Sequence, residues 1–257
     1  MSFVVCCVPV SPMRVESSHK SEMSSQLLLG EAGELLEESE NFIKLRCLHD
    51  GYEGWCQRSQ LAIVDVLPGD INNGLYIGDW TDKVLINGVA AWVPMGTPVL
   101  APAKDVIQAG PYRFQYTTGS AWQAVGAVPS AEAIKARAER FLNTPYLWGG
   151  RSVFGIDCSG FCQIVFRFFN IRLLRDAYLQ ATQGEGIGFL QEVKCGDLAF
   201  FDNAEGRIVH VGILLNESEI IHASGKVRID RIDNAGIVNS DTGERTHQLR
   251  IIKRLIS

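Results

Sequence analysis

The stretch from Thr144 to Asn170 constrains the fold most. It opens as a proline- and glycine-rich loop, Thr-Pro-Tyr-Leu-Trp-Gly-Gly-Arg-Ser-Val-Phe-Gly, and runs through Ile-Asp157-Cys158-Ser159-Gly-Phe into an apolar helix. Asn143-Thr144-Pro145 stops the preceding helix, because proline restricts the residue before it and has no amide hydrogen. Gly149, Gly150 and Gly155 permit a tightly turned loop. In the helix that follows, Phe161, Cys162, Ile164, Val165, Phe166, Phe168 and Phe169 cover every face, which calls for burial on all sides. Cys158 therefore stands at the start of a rigid central helix, whose unpartnered first-turn amides favour an anion such as a thiolate.

With 257 residues, 46% of them hydrophobic and 21% charged, the chain has enough material for one large or two to three small domains. A net charge of -5 gives no broad basic surface, so no nucleic-acid partner is expected. No run of about eighteen apolar residues occurs, so neither a spanning helix nor a membrane partner is expected. The seven cysteines (Cys6, Cys7, Cys47, Cys56, Cys158, Cys162 and Cys195) are odd in number and scattered, and read as reduced cytosolic thiols. The first residues, Met-Ser-Phe-Val-Val-Cys-Cys-Val-Pro-Val, carry no basic leader or cleavage site and read as a first strand. The expected compartment is the cytoplasm, or outside it if a leader has been removed.

From residue 1 to 66 the spacing predicts short strands at Val4–Val8, Gln26–Leu29, Glu34–Leu36, Phe42–Leu48, Gly54–Cys56 and Ala62–Val66. Pro9, Pro12 and Ser17–Ser25 are expected in loops. Residues 67–127 read as a second small β module, for which a further SH3-type barrel is one reading. Strands are expected at Val84–Ile86, Ala91–Val93, Thr97–Leu100 and Arg113–Thr117, with Pro68-Gly69-Asp70, Asn72-Asn73-Gly74 and Ala101-Pro102-Ala103 as punctuation. The third domain, 128–257, starts with a helix over Ala131–Leu142 capped by Ser130. After the Cys158 helix comes a short one over Asp176–Thr182 closed by Gly184. Strands follow at Asp197–Phe201, Ile208–Leu215, Glu219–Ala223, Val227–Ile232 and Leu249–Ile252. Helices first and an antiparallel sheet afterwards make this domain α+β.

A nucleophilic thiol needs a base, and the base an orienter. His210 and His222 lie in β-prone runs joined by a turn around Asn216-Glu217-Ser218. If Leu215 pairs with Glu219, Gly212 falls opposite His222 and His210 is its diagonal neighbour, roughly 7 to 8 Å away on the same face. Gly212 would leave open space between the two. His210 is then the base for Cys158, and His222 fixes its tautomer. A nearby imidazolium and the helix terminus are expected to depress the thiol pKa. His19, His49 and His247 read as solvated surface residues. Packing without catalysis is one alternative; a zinc site of Cys158, Cys162, His210 and His222 is another, although the two cysteines lack a short-loop knuckle. Cys162 and Cys195 read as core.

Leu28-Leu29-Gly30-Glu31 and Asp50-Gly51-Tyr52-Glu53-Gly54-Trp55 resemble the bacterial SH3-type domains that accompany cell-wall peptidases. Thr-Pro-Tyr146-x-Trp-Gly-Gly, Gly-x-Asp157-Cys158-Ser159-Gly-Phe, Gly196-Asp197-Leu-x-Phe-Phe, His210-Val-Gly-Ile and Ile-x-His222-Ala-Ser, in this order, resemble the NlpC-type cell-wall cysteine peptidases, a papain-like family. The resemblance implies a papain-like C-terminal domain, helices packed on an antiparallel sheet, behind small all-β SH3-like barrels. It also implies a Cys158-His210-His222 triad with Tyr146 near the oxyanion site, and no metal or organic cofactor.

The whole is similar to the γ-D-glutamyl-L-diamino-acid endopeptidases, also called dipeptidyl-peptidase VI. That implies hydrolysis of the γ-D-Glu–diamino acid bond in peptidoglycan-derived peptides with a free N-terminal L-Ala, releasing L-Ala-γ-D-Glu during murein recycling. By the same resemblance Asp176 matches the amine-binding aspartate, Asp157 and Ser159 match ligand-contacting positions, and Glu31 and Tyr52 match pocket positions from the first β domain. For Glu31 and Tyr52 the alternatives are a solvated turn residue and a hairpin aromatic. Ala177 departs from the pattern, which has serine there, and removes one hydroxyl from the pocket. The rival readings are an amidase or acyltransferase on the same scaffold and a non-catalytic wall-binding protein. The oligomeric state is not legible from sequence.

Overall fold

The computed structural model describes residues 2–69, 74–101, 105–117, 122–124 and 129–256. Of the expected turn residues, Asp70, Asn72, Asn73, Pro102 and Ala103 lie outside the described residues. The chain forms two compact units, Met1–Gly126 with Trp148–Val153, and Ala127–Leu147 with Phe154–Ser257.

The first unit begins with β1 (Phe3–Cys6), β2 (Val10–Arg14), β3 (Met23–Leu28), β4 (Ala32–Glu38), β5 (Phe42–Cys47), β6 (Glu53–Gln57) and β7 (Leu61–Val64). They make one sheet in the order β3-β2-β6-β5-β4-β1-β7. β2 corrects the expectation that Pro12 sits in a loop. Pro12 pairs only with Gln26 of β3, while β6 is bonded to β2 at Met13 and Arg14 alone, so no ladder bond needs the amide that proline lacks.

Next come β8 (Leu75–Ile77), β9 (Thr81–Ile86), β10 (Val89–Pro94), β11 (Val106–Ala109), β12 (Tyr112–Tyr116) and β13 (Trp122–Ala124). Thr97–Leu100, expected as a strand, makes a single bridge between Pro98 and Tyr76, because proline offers no donor for a longer ladder. β1 alternates between two cores. Val4 and Cys6 pack with Met13, Ile43, Leu45 and Cys56. Val5 and Cys7 pack with Ile77, Val84, Val93, Ile107 and Phe114. Burial on both faces accounts for the unbroken apolar run at this strand. Residues on either side of position 66 thus share one core.

The segment Trp148–Val153 belongs to this unit and contains β14 (Arg151–Ser152). Gly149 has φ +75°, and a Cβ there would lie 2.5 Å from the Met23 carbonyl oxygen, so glycine is required. Arg151 is buried; its amide donates to Gln26 Oε1 at 2.8 Å, and its guanidinium meets both oxygens of Glu31 at 2.9 and 3.1 Å.

The second unit carries β15 (Gly155–Ile156) and three helices, α1 (Ala131–Glu139), α2 (Cys158–Arg167) and α3 (Ala177–Gln180). Ser130 Oγ accepts the Ala133 amide and caps α1, as its position predicts. α1 ends earlier than expected: the amides of Phe141 and Leu142 bond carbonyls three residues back, tightening the turn that leads to Asn143 at φ 68°.

The strands are β16 (Glu185–Ile187), β17 (Leu198–Asp202), β18 (Ile208–Leu214), β19 (Glu219–Ser224), β20 (Lys226–Asp233), β21 (Gly236–Val238) and β22 (Arg245–Arg254). Their order is β16-β22-β17-β18-β19-β20-β21, and β21 also pairs with β22, so β17 to β22 close into a barrel. α2 packs against β18 and β19 with every one of its residues buried, the polar Ser159, Gln163 and Arg167 included.

Candidate active site

Asp157 starts α2. Its extended backbone places Oδ1 2.7 Å from the Gly160 amide, the bond that opens the helix. Cys158 is therefore the first helical residue and is buried. Arg175 holds this end in place: its Nη1 donates to Asp157 Oδ1 at 3.1 Å and to Ser159 Oγ at 2.8 Å, and its Nη2 bonds Asp157 Oδ2. Arg175 thereby ties the chain step that carries Asp176 to the amino end of α2. Gln180, inside α3, adds a bond from its side-chain amide to the Ser159 carbonyl at 3.0 Å. Half-buried Tyr146 lies beside Cys158; burial first, then Cys158 and Asp157, raises its phenol pKa well above the ordinary value.

Across from α2 stands the histidine pair. The register is the one the turn implies: the Leu215 amide bonds the Glu219 carbonyl at 2.9 Å, and Gly212 faces His222. The expectation of open space at Gly212 is corrected. A Cβ there would meet Ile220 Cδ1 at 2.7 Å and His222 Cβ at 2.8 Å, so the missing side chain makes room for His222 itself. His210 Nε2 and His222 Nδ1 are 2.8 Å apart, and His222 Nε2 lies 3.0 Å from Asp230 Oδ2.

Asp230 was not among the sequence candidates. It is 2% exposed and also accepts from the Ser240 amide at 2.8 Å and Arg228 Nη2 at 2.9 Å. Burial alone would raise its pKa, but the bonds from His222, Ser240 and Arg228 hold it far below the ordinary carboxylate range. The signal for it is a strand register: β20 sets Arg228 opposite His222 and Asp230 opposite Ile220, one diagonal step from His222.

These bonds settle the proton positions. Ionised Asp230 only accepts, so His222 Nε2 carries the hydrogen. With that hydrogen on Nε2, His222 presents Nδ1 as the acceptor for His210 Nε2–H. The lone pair of His210 is left on Nδ1, and Nδ1 is the atom able to take a proton. His210 is the neighbour of Val211, whose backbone bonds the Cys158 thiol.

The expectation of a depressed thiol pKa is corrected. Burial, with the Asp157 carboxylate adding to it, pushes Cys158 up to about 12. Burial, then the His222 and His247 rings, lowers His210 well below the ordinary imidazole value. The resting thiol and imidazole are both neutral, because a dry site penalises each charged form.

His247 is corrected as well. It is half-buried rather than solvated, and its ring stacks on His210 at 4.2 Å between centroids and 26° between planes. His19 is exposed against Phe42, and His49 is half-buried. Cys195, expected in the core, is half-buried with its thiol 3.4 Å from the Ala131 carbonyl. Cys162 is fully buried one turn into α2. Among the described residues no group of three or more His, Cys, Asp or Glu is arranged to hold a metal ion. Glu31, 6% exposed and bound to Arg151, is not a solvated turn residue. Tyr52 is half-buried and packs against the core that holds Ile43 and Leu45.

A cysteine opening a buried helix and facing a barrel with a histidine relay defines a papain-like cysteine peptidase domain. Residues 143–246 match the NlpC/P60 family, and residues 13–61 match the bacterial dipeptidyl-peptidase SH3 domain. Residues 143–246 thus carry an NlpC/P60 cysteine peptidase domain, and residues 13–61 a bacterial SH3 domain ahead of it.

It is similar to a γ-D-glutamyl-L-lysine dipeptidyl-peptidase of Bacillus subtilis, 43% identical over 96 residues, which cover 37% of this chain and 32% of that protein. A protein of the same name from Bacillus cereus is 25% identical over 260 residues, covering 90% of this chain and 77% of the relative. The dipeptidyl-peptidase 6 of Lysinibacillus sphaericus is 25% identical over 240 residues, 83% of this chain and 85% of that one. A solved NlpC/P60 family protein from Bacillus cereus shares the fold, with a TM-score of 0.77 at 18% identity over 99% of this chain and 100% of that one.

Proposed function

We propose that the protein hydrolyses the γ-D-glutamyl–diamino acid bond of peptidoglycan-derived peptides that begin with a free L-alanine, releasing L-Ala-γ-D-Glu in murein peptide recycling. The observation that carries this reading is the relay Asp230–His222–His210 on the barrel wall against which the Cys158 helix packs.

In this reading Cys158 Sγ attacks the γ-carbonyl carbon as His210 Nδ1 takes the thiol proton. The carbonyl oxygen becomes an oxyanion, bonded by the Cys158 backbone amide and approached by Tyr146. The carbon–nitrogen bond then breaks, and the amine of the diamino acid leaves with the proton from His210. Water attacks the thioester with His210 again as base, which frees the dipeptide and restores the thiol. Asp230 stabilises the positive charge that passes through the relay. A neutral resting pair suits this sequence, because the charge forms only as the bond forms.

Recognition is assigned to Asp176, as acceptor for the alanine ammonium, together with Asp157, Ser159 and Tyr146. Arg175 supports the assignment to Asp176 by fixing the adjacent residue to Asp157 and Ser159. Seven free cysteines suit a reducing compartment, so we place the reaction in the cytoplasm. The test is cleavage of L-Ala-γ-D-Glu-L-Lys beside the same peptide acetylated on its alanine, read by mass spectrometry. Cleavage confined to the free-amine peptide is the expected result. Cleavage of both at one rate would remove the amine requirement, and cleavage of neither would remove the proposed substrate.

A further inference from the structure

His247 has no part in the relay, yet it stacks on the relay's terminal ring, His210. It sits on β22, where its backbone faces Ile237 of β21, and its side chain turns toward His210 of β18 and His222 of β19, strands not paired with β22. Its ring lies face to face with His210 at 4.2 Å and edge-on to His222 at 5.7 Å and 88°. On its other side Phe201 of β17 meets it at 5.9 Å and 65°. Its Nδ1 bonds the neighbouring Thr246 hydroxyl at 2.8 Å.

The His210 ring is thus gripped from several directions: His222 along its Nε2 edge, His247 over one face, and Phe201 at 5.7 Å. A single hydrogen bond at Nε2 leaves an imidazole free to swing about that bond, and a stacked ring removes this freedom. From the stacking geometry we infer that His247 is a positioning residue for the proton-transferring step, holding the plane of His210 and with it the direction of its Nδ1. The inference rests on the proposed role of His210.

The charge on His247 matters as much as its shape. Burial, with the His222 ring next, lowers its pKa to about 4, against the pull of Asp230 in the other direction. At neutral pH it is an uncharged plate. Protonated, it would put a cation over the ring that must itself become cationic during attack, and turnover would stop. The groups around it are His210, His222 and Asp230 from β18, β19 and β20, with Asp202 in β17 across from the adjacent Gln248.

The test compares wild type with His247→Ala and His247→Phe, measuring kcat and KM for L-Ala-γ-D-Glu-L-Lys from pH 4 to 8, with thermal melting alongside. Loss of the stacked ring is expected to lower kcat about ten-fold, a fraction of the ~10²–10⁴-fold that a placed base supplies, and to leave KM within two-fold. Phenylalanine restores a flat ring and is expected to recover most of kcat, with an acid limb lower than the wild type's because it cannot be protonated. A kcat for the alanine variant equal to wild type would overturn the inference. So would a phenylalanine variant no better than alanine at equal melting temperature.

Iodoacetamide alkylation of Cys158, followed by peptide mass spectrometry, reads the same contact without a substrate. The alkylation rate is expected to fall in the alanine variant and return in the phenylalanine one. A wild type that cleaves nothing but shows this pattern would sink the proposed reaction and keep the positioning role. Equal alkylation in all three proteins would sink the positioning role.

Discussion

Asp230→Asn is the most informative single change, because it keeps the shape of the site and reverses its protons. Two donors, the Ser240 amide at 2.8 Å and Arg228 Nη2 at 2.9 Å, point at Oδ1. The asparagine oxygen is favoured there, because Arg228 Nε, though 2.9 Å from Oδ2, makes no hydrogen bond to it, and the NH2 then falls where Oδ2 met His222 Nε2 at 3.0 Å. His222 then accepts at Nε2 and carries its proton on Nδ1. From there it donates to His210 Nε2, so the proton of His210 moves to Nδ1, the atom that should be bare. Base catalysis of this kind is worth about 10²–10⁴-fold, roughly 3 to 5.5 kcal/mol of transition-state stabilisation. Stability should change less, by about 1.5 to 3 kcal/mol for a charged hydrogen bond made neutral. The assay is kcat and KM on L-Ala-γ-D-Glu-L-Lys with thermal melting of the same samples. A folded Asp230→Asn protein whose kcat stays within three-fold of wild type would refute the relay and the tautomers assigned from it.

Gly212→Ala should cost about 1 to 3 kcal/mol of stability and lower kcat, since its Cβ would stand 2.8 Å from His222 Cβ; a melting curve and kcat both equal to wild type would show that the strand yields there. Glu31→Gln should destabilise by about 3 kcal/mol in chemical denaturation, because it leaves the buried Arg151 charge without its partner, and a loss under about 0.5 would mean that the pair contributes no net stability. Stability should be greatest above about pH 6.5 and fall as the pH drops, because the unfolded imidazoles bind protons before the buried His210 and His247 do. With His247 pushed down to about 4, its share is at most about 3 kcal/mol, reduced by its partial exposure, and is complete once the pH falls below that value. Unfolding curves flat from pH 7 to 4 would contradict it.

The Cys158 helix was legible from its apolar residues, Phe161, Cys162, Ile164, Val165 and Phe166, although its one polar stripe, Ser159, Gln163 and Arg167, is buried as well. The pairing of Gly212 with His222 followed from one turn, since register in a hairpin is fixed by its loop. Asp230 and His247 were hidden for a common reason. Asp230 reaches His222 across the pairing of β19 with β20, and His247 reaches the pair from β22, which pairs with β17 and closes the barrel onto β21; barrel closure is a long-range fact that no local period records. Gly236, with φ 132° and space for a Cβ only 1.8 Å from the His247 carbonyl oxygen, is the local trace of that closure, but a glycine alone does not say which strand it admits. The thiol pKa was misjudged because sequence gives the sign of neighbouring charges and not the depth of burial, and here burial is the larger influence.

The most direct test of the account is turnover of L-Ala-γ-D-Glu-L-Lys by Cys158→Ala, with its melting temperature measured beside that of wild type. A folded variant that releases no L-Ala-γ-D-Glu, while wild type releases it, is the predicted result. Release at the wild-type rate would contradict the account, because the thiol would then have no part in breaking the bond.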